Sequence, residues 1–278
     1  MSHIPSRDSP TLLSVFSAQL KYTIHEHERT SYMSGHSKWS QIKRKKAVTD
    51  RNRGRLFTRF IREIQIAART GGGDPDGNPR LRFAIEQARK NSMPADNIKR
   101  AIARGAGGEG AEVLVEGSYE VYGPAGVAII VETATDNKNR TVGEIRHVLS
   151  KYGGNLGESG SVSWMFAKTG TIVIPRTAIT EERLLDHILE AGADDLRTDD
   201  PEFFEVRTSP EDFERVRDTL VNANISIEDA KIAMIPANMV AVSGDNAAKL
   251  VKLIEALEEN DDVQNVFSNA DIDEAAFA

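Results

Sequence analysis

Apolar and polar positions follow a helical period in the segment 51–69. At 100° per residue the apolar side chains fall within one arc of about 140°, and the arginines fall within about 80° on the opposite side. The apolar positions are Leu56, Phe57, Phe60, Ile61, Ile64, Ala67 and Ala68, and the arginines are Arg51, Arg55, Arg59, Arg62 and Arg69. The pattern predicts a helix with one face in a core and a stripe of guanidinium groups on the other.

Two shorter helices are predicted to complete a small helical domain. Gly71–Gly73 ends the first helix, and the next begins with Asn78 as N-cap and Pro79 at the first helical position. A third element begins at Pro94 and closes at Gly105. The positions expected to face the core are Leu81, Ala84, Ile85, Ala88, Ile98, Ala101 and Ile102, whereas Arg82, Arg89 and Lys90 are expected to point away.

Beyond a glycine-rich stretch at 105–110, which predicts a flexible linker, short strands alternate with helices. An outer unit consists of strand 126–133, helix 140–152 and strand 161–166, followed much later by strand 239–243, helix 246–259 and strand 262–267. An inner unit consists of strand 169–174, helix 181–191, strands 194–198 and 203–207, helix 211–222 and strand 225–235; an extra strand at 118–122 precedes both. Each unit has the βαββαβ order of a ferredoxin-like fold.

The predicted fold class is therefore α+β: a small N-terminal helical domain followed by two ferredoxin-like α/β domains, the third inserted into the second. The predicted boundaries are 1–32 for a disordered extension, 33–110 for the basic helical domain, 111–167 with 236–272 for the second domain, and 168–235 for the third. For residues 1–32 the alternative is a targeting segment, although they lack the basic start and small-residue cleavage site of a secretory signal.

Charge is divided along the same boundary. Between Ser34 and Gly105 there are 18 Lys/Arg against 6 Asp/Glu, a net of +12, whereas Ala106–Ala278 has 14 against 33, a net of −19. Such an excess of one sign is costly through self-repulsion unless a polyanion or the acidic domains offset it. The sequence therefore predicts nucleic acid as the partner of the helical domain. Docking on the chain's own acidic domains and a solvated basic face are the alternatives.

Basic side chains of this domain are the residues predicted to contact nucleic acid. They are Lys38, Lys43, Arg44, Lys45, Lys46, Arg51, Arg55, Arg59, Arg62, Arg69, Arg82 and Arg89. They suit phosphate, which positions a protein without specifying sequence, and no helix-turn-helix with a clear base-reading helix is evident. Trp39 lies beside them and either stacks on a base or belongs to the core.

Other chemistry is not indicated. The chain has no cysteine, and its six histidines lack metal-binding spacing, so we expect no metal, no cofactor and no enzymatic activity. The acidic run Glu258–Asp262 is interpreted as solvated surface. Gly153–Gly157 is interpreted as a helix C-cap followed by a tight turn, and Asn139 as the N-cap of the helix before it.

Several short motifs, in this order and spacing, resemble the YebC/PmpR family over about Met33–Ile272. They include Met33-Ser-Gly-His-Ser-Lys-Trp39, Arg69-Thr-Gly-Gly-Gly-Asp-Pro75, Asn78-Pro-Arg-Leu-Arg82, Asn91-Ser-Met-Pro94, Asp136-Asn-Lys-Asn-Arg-Thr141 and Asp262-Val-Gln-Asn-Val266. The resemblance implies a cytoplasmic DNA-binding transcriptional regulator of three domains, with no membrane partner. It equally raises a second hypothesis, a ribosome-associated translation factor that binds ribosomal RNA through the same helical domain. Homodimerisation or ribosome association is the expected assembly.

Overall fold

The structure, a computed structural model, describes residues 50–108, 110 and 113–273. The helices are α1 (Asp50–Gly71), α2 (Pro79–Lys90), α3 (Ala95–Gly105), α4 (Lys138–Tyr152), α5 (Glu181–Ala191), α6 (Phe213–Asn222) and α7 (Gly244–Glu258). The strands are β1 (Val115–Tyr122), β2 (Ala128–Thr135), β3 (Asn155–Leu156), β4 (Phe166–Pro175), β5 (Asp195–Arg197), β6 (Phe203–Thr208), β7 (Asp229–Pro236), β8 (Val240–Val242), β9 (Val263–Ser268) and β10 (Ala270–Ile272). None of the helices in these ranges is long and apolar enough to cross a membrane.

Helices α1, α2 and α3 enclose one apolar core. It contains the predicted inward positions Ile64, Ala67, Ala68, Leu81, Ala84, Ile85, Ala88, Ile98 and Ala101, together with Met93. The predicted cap is confirmed, because the Asn78 side chain accepts a hydrogen bond from Leu81 N at 3.1 Å. The same side chain donates to the carbonyls of Ala67 and Gly72 at 2.8 Å each. Asn78 therefore fastens the start of α2 to the end of α1.

The second domain is built on an antiparallel sheet with the order β3-β1-β2-β9. Strand β2 is buried along nearly its whole length, because both faces of the sheet are covered. Ile129 and Val131 pack towards α4 and α7, whereas Ala128 and Ile130 pack with Phe166 and Ala233 of the neighbouring domain.

The inserted βαββαβ unit forms the second four-stranded antiparallel sheet. Its order β7-β4-β6-β5 places the fourth strand of the unit beside the first, then the third and the second, which is the ferredoxin-like arrangement. Its separate apolar core includes Ile172, Leu184, Val206 and Leu220. The described chain is thus α+β, as predicted.

Two predicted strands differ from those observed. Residues 161–166 do not form a strand of the second domain: Ser163–Met165 is a 3-10 turn, and Phe166 begins β4 of the other sheet. The strand predicted at 239–243 is present as β8, but it pairs in parallel with β10 and stands outside the four-stranded sheet. Strand β1 instead occupies the position beside β2.

Candidate nucleic-acid interface

The arginine stripe of α1 faces the second domain. The side chains described are Arg55, Arg59, Arg62 and Arg69, which are called the arginine face below. At its N-terminal end it meets the last residues of α7. Arg55 Nη1 lies 3.0 Å from Glu259 Oε1, and Arg59 Nη2 donates to the Glu258 carbonyl at 2.5 Å. Burial lowers the pKa of Arg59, which is consistent with a guanidinium held inside a contact.

A buried carboxylate organises the middle of this contact. Asp262 is 3% exposed, and its Oδ1 accepts a hydrogen bond from Arg62 Nη1 at 2.6 Å. Thr141 Oγ1 donates to Asp262 Oδ2 at 2.6 Å, and Arg140 Nη2 donates to the same oxygen at 2.9 Å. Burial by itself would raise the pKa of Asp262, but the hydrogen bonds from Thr141, Arg140 and Arg62 lower it below its ordinary value. The carboxylate is therefore ionised and joins α1, α4 and the start of β9.

Apolar packing completes the contact towards the end of α1. Ile66 is 5% exposed and forms a small buried cluster with Leu114 and Ala134. Beside it, Arg69 Nη1 donates to the Leu114 carbonyl at 2.9 Å. Helix α1 is therefore buried on two sides, by its own domain and by the second domain. The sequence signal for this was Ile66 itself, an apolar residue outside the predicted core arc.

Four of the residues predicted to contact phosphate lie against the second domain. Arg55, Arg59, Arg62 and Arg69 donate to acceptors of the second domain, which is the docking alternative raised by the charge pattern. The acidic run Glu258–Asp262 is likewise not simply solvated surface, because it supplies acceptors for three of these arginines. The side chain of Arg51 and the residues Lys38, Lys43, Arg44, Lys45 and Lys46 lie outside the described residues.

A different set of cations lies on α2 and α3. It comprises Arg82, Arg89, Lys99, Arg100 and Arg104, which are called the outer cations below. All but the half-buried Arg82 are exposed, and across the ranges described none forms a salt bridge with a carboxylate. Arg82 donates to the Pro75 carbonyl at 3.3 Å, and Arg100 Nη2 donates to Asn97 Oδ1 at 2.5 Å. These positive charges are free to attract an anion.

Three of the outer cations were missed in the sequence. Lys99, Arg100 and Arg104 follow from the helical period of α3, because Ile98 and Ala101 point into the core and leave these positions outside. By contrast, Arg80 forms two salt bridges within the chain. Its guanidinium lies 2.7 Å from Glu63 Oε1 and 2.8 Å from Glu116 Oε1.

The capping interpretations have mixed outcomes. Gly153 ends α4 in the left-handed conformation with φ 79°, as predicted. The N-cap of α4 is Asn137 rather than Asn139, and its side chain accepts from Arg140 N at 3.1 Å. Asn139 fails as a cap because it already lies in the first helical turn, whereas Asn137 has the extended backbone that a cap requires. Within the described ranges, no group of three or more His, Asp or Glu side chains could hold a metal ion.

Two family models match the chain and together span most of it. The model described as the TACO1/YebC protein N-terminal domain matches residues 37–108. The model described as the TACO1/YebC second and third domain matches residues 114–270.

Curated relatives and a solved structure resemble the chain over most of its length. A "probable transcriptional regulatory protein" of Chloroherpeton thalassium is 57% identical over 244 residues, covering 88% of this chain and 98% of that one. A protein of the same description from Chlorobaculum tepidum is 56% identical over 246 residues, with the same coverage. The crystal structure of a conserved hypothetical protein from Aquifex aeolicus superposes with a TM-score of 0.75 at 46% identity, over 82% of this chain and 94% of that chain.

Proposed function

The chain belongs to the TACO1/YebC family, and from that premise we propose that it is a cytoplasmic, non-enzymatic regulator of gene expression that binds nucleic acid through its helical domain. The observation that carries the proposal is the set of outer cations. They stand on adjacent helices without carboxylate partners in the described part of the chain, whereas the arginine face is already engaged. Cations of this kind bind the phosphate backbone.

DNA is the proposed target, and the names of the relatives, which describe transcriptional regulators, support it. Phosphate is common to DNA and RNA, and contacts by Lys and Arg side chains alone do not distinguish them. Ribosomal RNA is therefore the second candidate for the same surface.

Charge reversal on the outer cations tests the binding surface. We expect Arg89→Glu, Arg100→Glu and Arg104→Glu together to abolish binding to DNA at physiological salt, because three attractive charges become repulsive. If all five outer cations contact phosphate, a plot of the logarithm of the wild-type binding constant against the logarithm of the salt concentration should have a slope of about −4.5. Binding isotherms at several salt concentrations measure both quantities.

A matched control makes the same change of charge on the acidic domains. Lys168→Glu, Lys249→Glu and Lys252→Glu reverse three exposed cations outside the helical domain. This control should retain most of the wild-type affinity. Equal losses in the two triple variants would mean that net charge, rather than this surface, governs binding.

Crosslinking in living cells identifies the target. Ultraviolet crosslinking, followed by pull-down and sequencing of the attached nucleic acid, should recover discrete promoter DNA if the chain regulates transcription directly. Recovery of a few ribosomal RNA positions with little DNA would instead establish the second candidate. Recovery of neither from the wild type would contradict the proposed function.

A further inference from the structure

Trp164 is the most exposed large apolar side chain in the described part of the chain. It lies in the 3-10 turn Ser163–Met165, which follows β3 and precedes β4 in the chain, and is 73% exposed. Tyr122, at the end of β1, is also exposed, at 37%. An indole left in water at this level contributes nothing to the core, so its ring is available to a partner.

The loop that carries Trp164 is fastened to β1 by one carboxylate. Glu120 accepts hydrogen bonds from Gly160 N at 2.7 Å, Val162 N at 2.6 Å and Ser163 N at 2.9 Å. Burial tends to raise the pKa of Glu120, but these backbone donors lower it, so the carboxylate is ionised at neutral pH. Three charge-assisted hydrogen bonds from consecutive parts of one loop make the turn a rigid support.

Gly157 lets the loop approach β1 closely. Its amide donates to the Glu120 carbonyl at 2.7 Å, and a Cβ at this position would lie only 3.3 Å from the same carbonyl oxygen. A glycine at this position therefore leaves room for the loop to pair closely with β1.

Both aromatic side chains are oriented by the same acceptor. Trp164 Nε1 and Tyr122 Oη each donate to the Ser161 carbonyl at 3.1 Å. Because their polar tips are satisfied internally, what they offer to a partner is ring surface. A ring that is already fixed loses little conformational entropy when it stacks on a ligand.

We propose that Trp164, with Tyr122 beside it, is a stacking platform for an unpaired nucleobase. The inference rests on the proposed function, since it takes nucleic acid as the partner. The outer cations can hold phosphate but offer no ring, and the aromatic residues Phe57, Phe60 and Phe83 of the helical domain are packed against apolar cores. In the ranges described, base contact by an exposed tryptophan is available at Trp164 alone.

The platform specifies the form of the nucleic acid. Inside a duplex both faces of each base are covered by neighbours, so an exposed indole stacks on bases in single strands, loops or single-stranded overhangs. The preferred target therefore contains unpaired bases as well as phosphates that the outer cations can bind.

Fluorescence tests the platform directly in the full-length chain. The chain has two tryptophans, Trp39 and Trp164, so in the Trp39→Phe variant the emission comes from Trp164. We expect a single-stranded oligonucleotide of about 12 nucleotides to quench this emission, and the same sequence in a blunt duplex to quench it much less.

Affinity gives the second readout. Trp164→Ala should weaken binding of the single strand by about tenfold, within the range found for loss of one base stack, and should change duplex binding little. Trp164→Phe retains a ring and should keep most of the affinity. Since Trp164 is exposed, both variants should show the thermal unfolding of the wild type, which circular dichroism verifies.

The outcomes separate this inference from the proposed function. If Trp164→Ala binds the single strand as tightly as the wild type while the outer-cation triple variant does not bind, the platform is refuted and the proposed function stands. If the wild type binds no nucleic acid of either form, both fail. Trp164-dependent capture of a purified protein partner, with no quenching by any oligonucleotide, would overturn the stacking role in favour of a protein interface.

Discussion

At the scale of single residues, Asp262 decides how the helical domain is attached. Its carboxylate is buried and accepts hydrogen bonds from Arg62, Arg140, Thr141 and Thr135. Removing one member of a buried ion pair leaves the other charge desolvated and unpaired, which is more costly than losing an exposed pair.

We expect Asp262→Ala to lower the free energy of unfolding by about 3–5 kcal/mol, because Arg62 then lies in the contact without its counterion. Urea denaturation measures the change. Asp261→Ala is the matched control: its carboxylate is exposed, so we expect a change within about 0.5 kcal/mol. A similar small effect for Asp262→Ala would show that the pair contributes little.

The ionisation of Asp262 should make the stability of the protein depend on pH. Its folded-state pKa is lowered, so its contribution is fully present above the unfolded value of about 3.9 and is lost as the pH falls through the folded value. The difference in unfolding free energy between the wild type and Asp262→Ala should therefore shrink between neutral pH and about pH 3. A difference that stays constant over this range would mean that ionisation of Asp262 is not responsible.

At the scale of elements, Gly105 sets how closely α3 approaches α1. A Cβ at this position would lie 2.8 Å from Gln65 Cα and 2.9 Å from Ala68 Cβ, and would also clash with the Gln65 carbonyl. These neighbours belong mostly to backbone, which cannot turn aside. The two helices are therefore in contact because a side chain is missing.

We expect Gly105→Ala to destabilise the helical domain by about 1–3 kcal/mol through overpacking. Gly54→Ala should act in the opposite direction, by up to about 1 kcal/mol, because Gly54 lies within α1 with no atom inside 4 Å of its Cβ position. Thermal unfolding of the two variants gives the sign of each change. Stabilisation by Gly105→Ala would refute the close approach.

The spacing of apolar residues predicts the helices well, but it predicts a strand at 161–166 that is not observed. The bounds of α1, α3 and α5 agree with prediction within two residues, because an apolar stripe at a 3.6-residue period is seldom produced by anything but a helix. The predicted strand at 161–166 is wrong, although Val162 and Phe166 are apolar. Both are buried, but Val162 precedes the 3-10 turn and Phe166 begins β4 of the other sheet. A short apolar segment indicates that its residues are buried, but burial alone does not determine whether the backbone is a strand or a turn.

At the scale of the whole molecule, the helical domain contacts both α/β domains. The arginine face meets the second domain, and α2 meets the third. The ring of Phe83 stands edge-on to Phe213, with centroids 6.1 Å apart, and the buried Arg217 guanidinium lies 4.9 Å from the centroid of Phe83. Lys90 Nζ donates to the Ile227 carbonyl at 3.0 Å.

We expect Phe83→Ala to loosen this second contact at a cost of about 1–3 kcal/mol, from lost burial and lost ring interactions. Amide hydrogen exchange should rise in α6, while β1 and β2 keep their wild-type protection. Phe83→Leu retains apolar volume, so its hydrogen exchange in α6 should be intermediate between that of the wild type and that of Phe83→Ala. Unchanged exchange in α6 on Phe83→Ala would show that the contact does not stabilise the third domain.

The division of charge could be found in the sequence, but the pairing of the charges could not. A net of +12 beside a net of −19 indicates attraction to some polyanion. Which arginines meet carboxylates of the same chain depends on how α1 is placed against α7 and β9, and those residues are about 200 positions apart in the sequence. Thus Arg62 and Arg89 are the same residue type in the same basic domain but differ in environment: Arg62 is half-buried and paired with Asp262, whereas Arg89 is exposed.

The docked arginine face has a consequence for any fragment of this protein. A piece that ends at the glycine stretch 105–110 keeps α1 but loses the acceptors of the second domain, so the four guanidinium groups of the arginine face lose their hydrogen-bond partners together. Such a fragment would adhere to heparin, nucleic acid or acidic proteins through guanidinium groups that the intact molecule pairs with its own second domain. The affinity of such a fragment for polyanions would therefore reflect the truncation rather than a property of the intact protein.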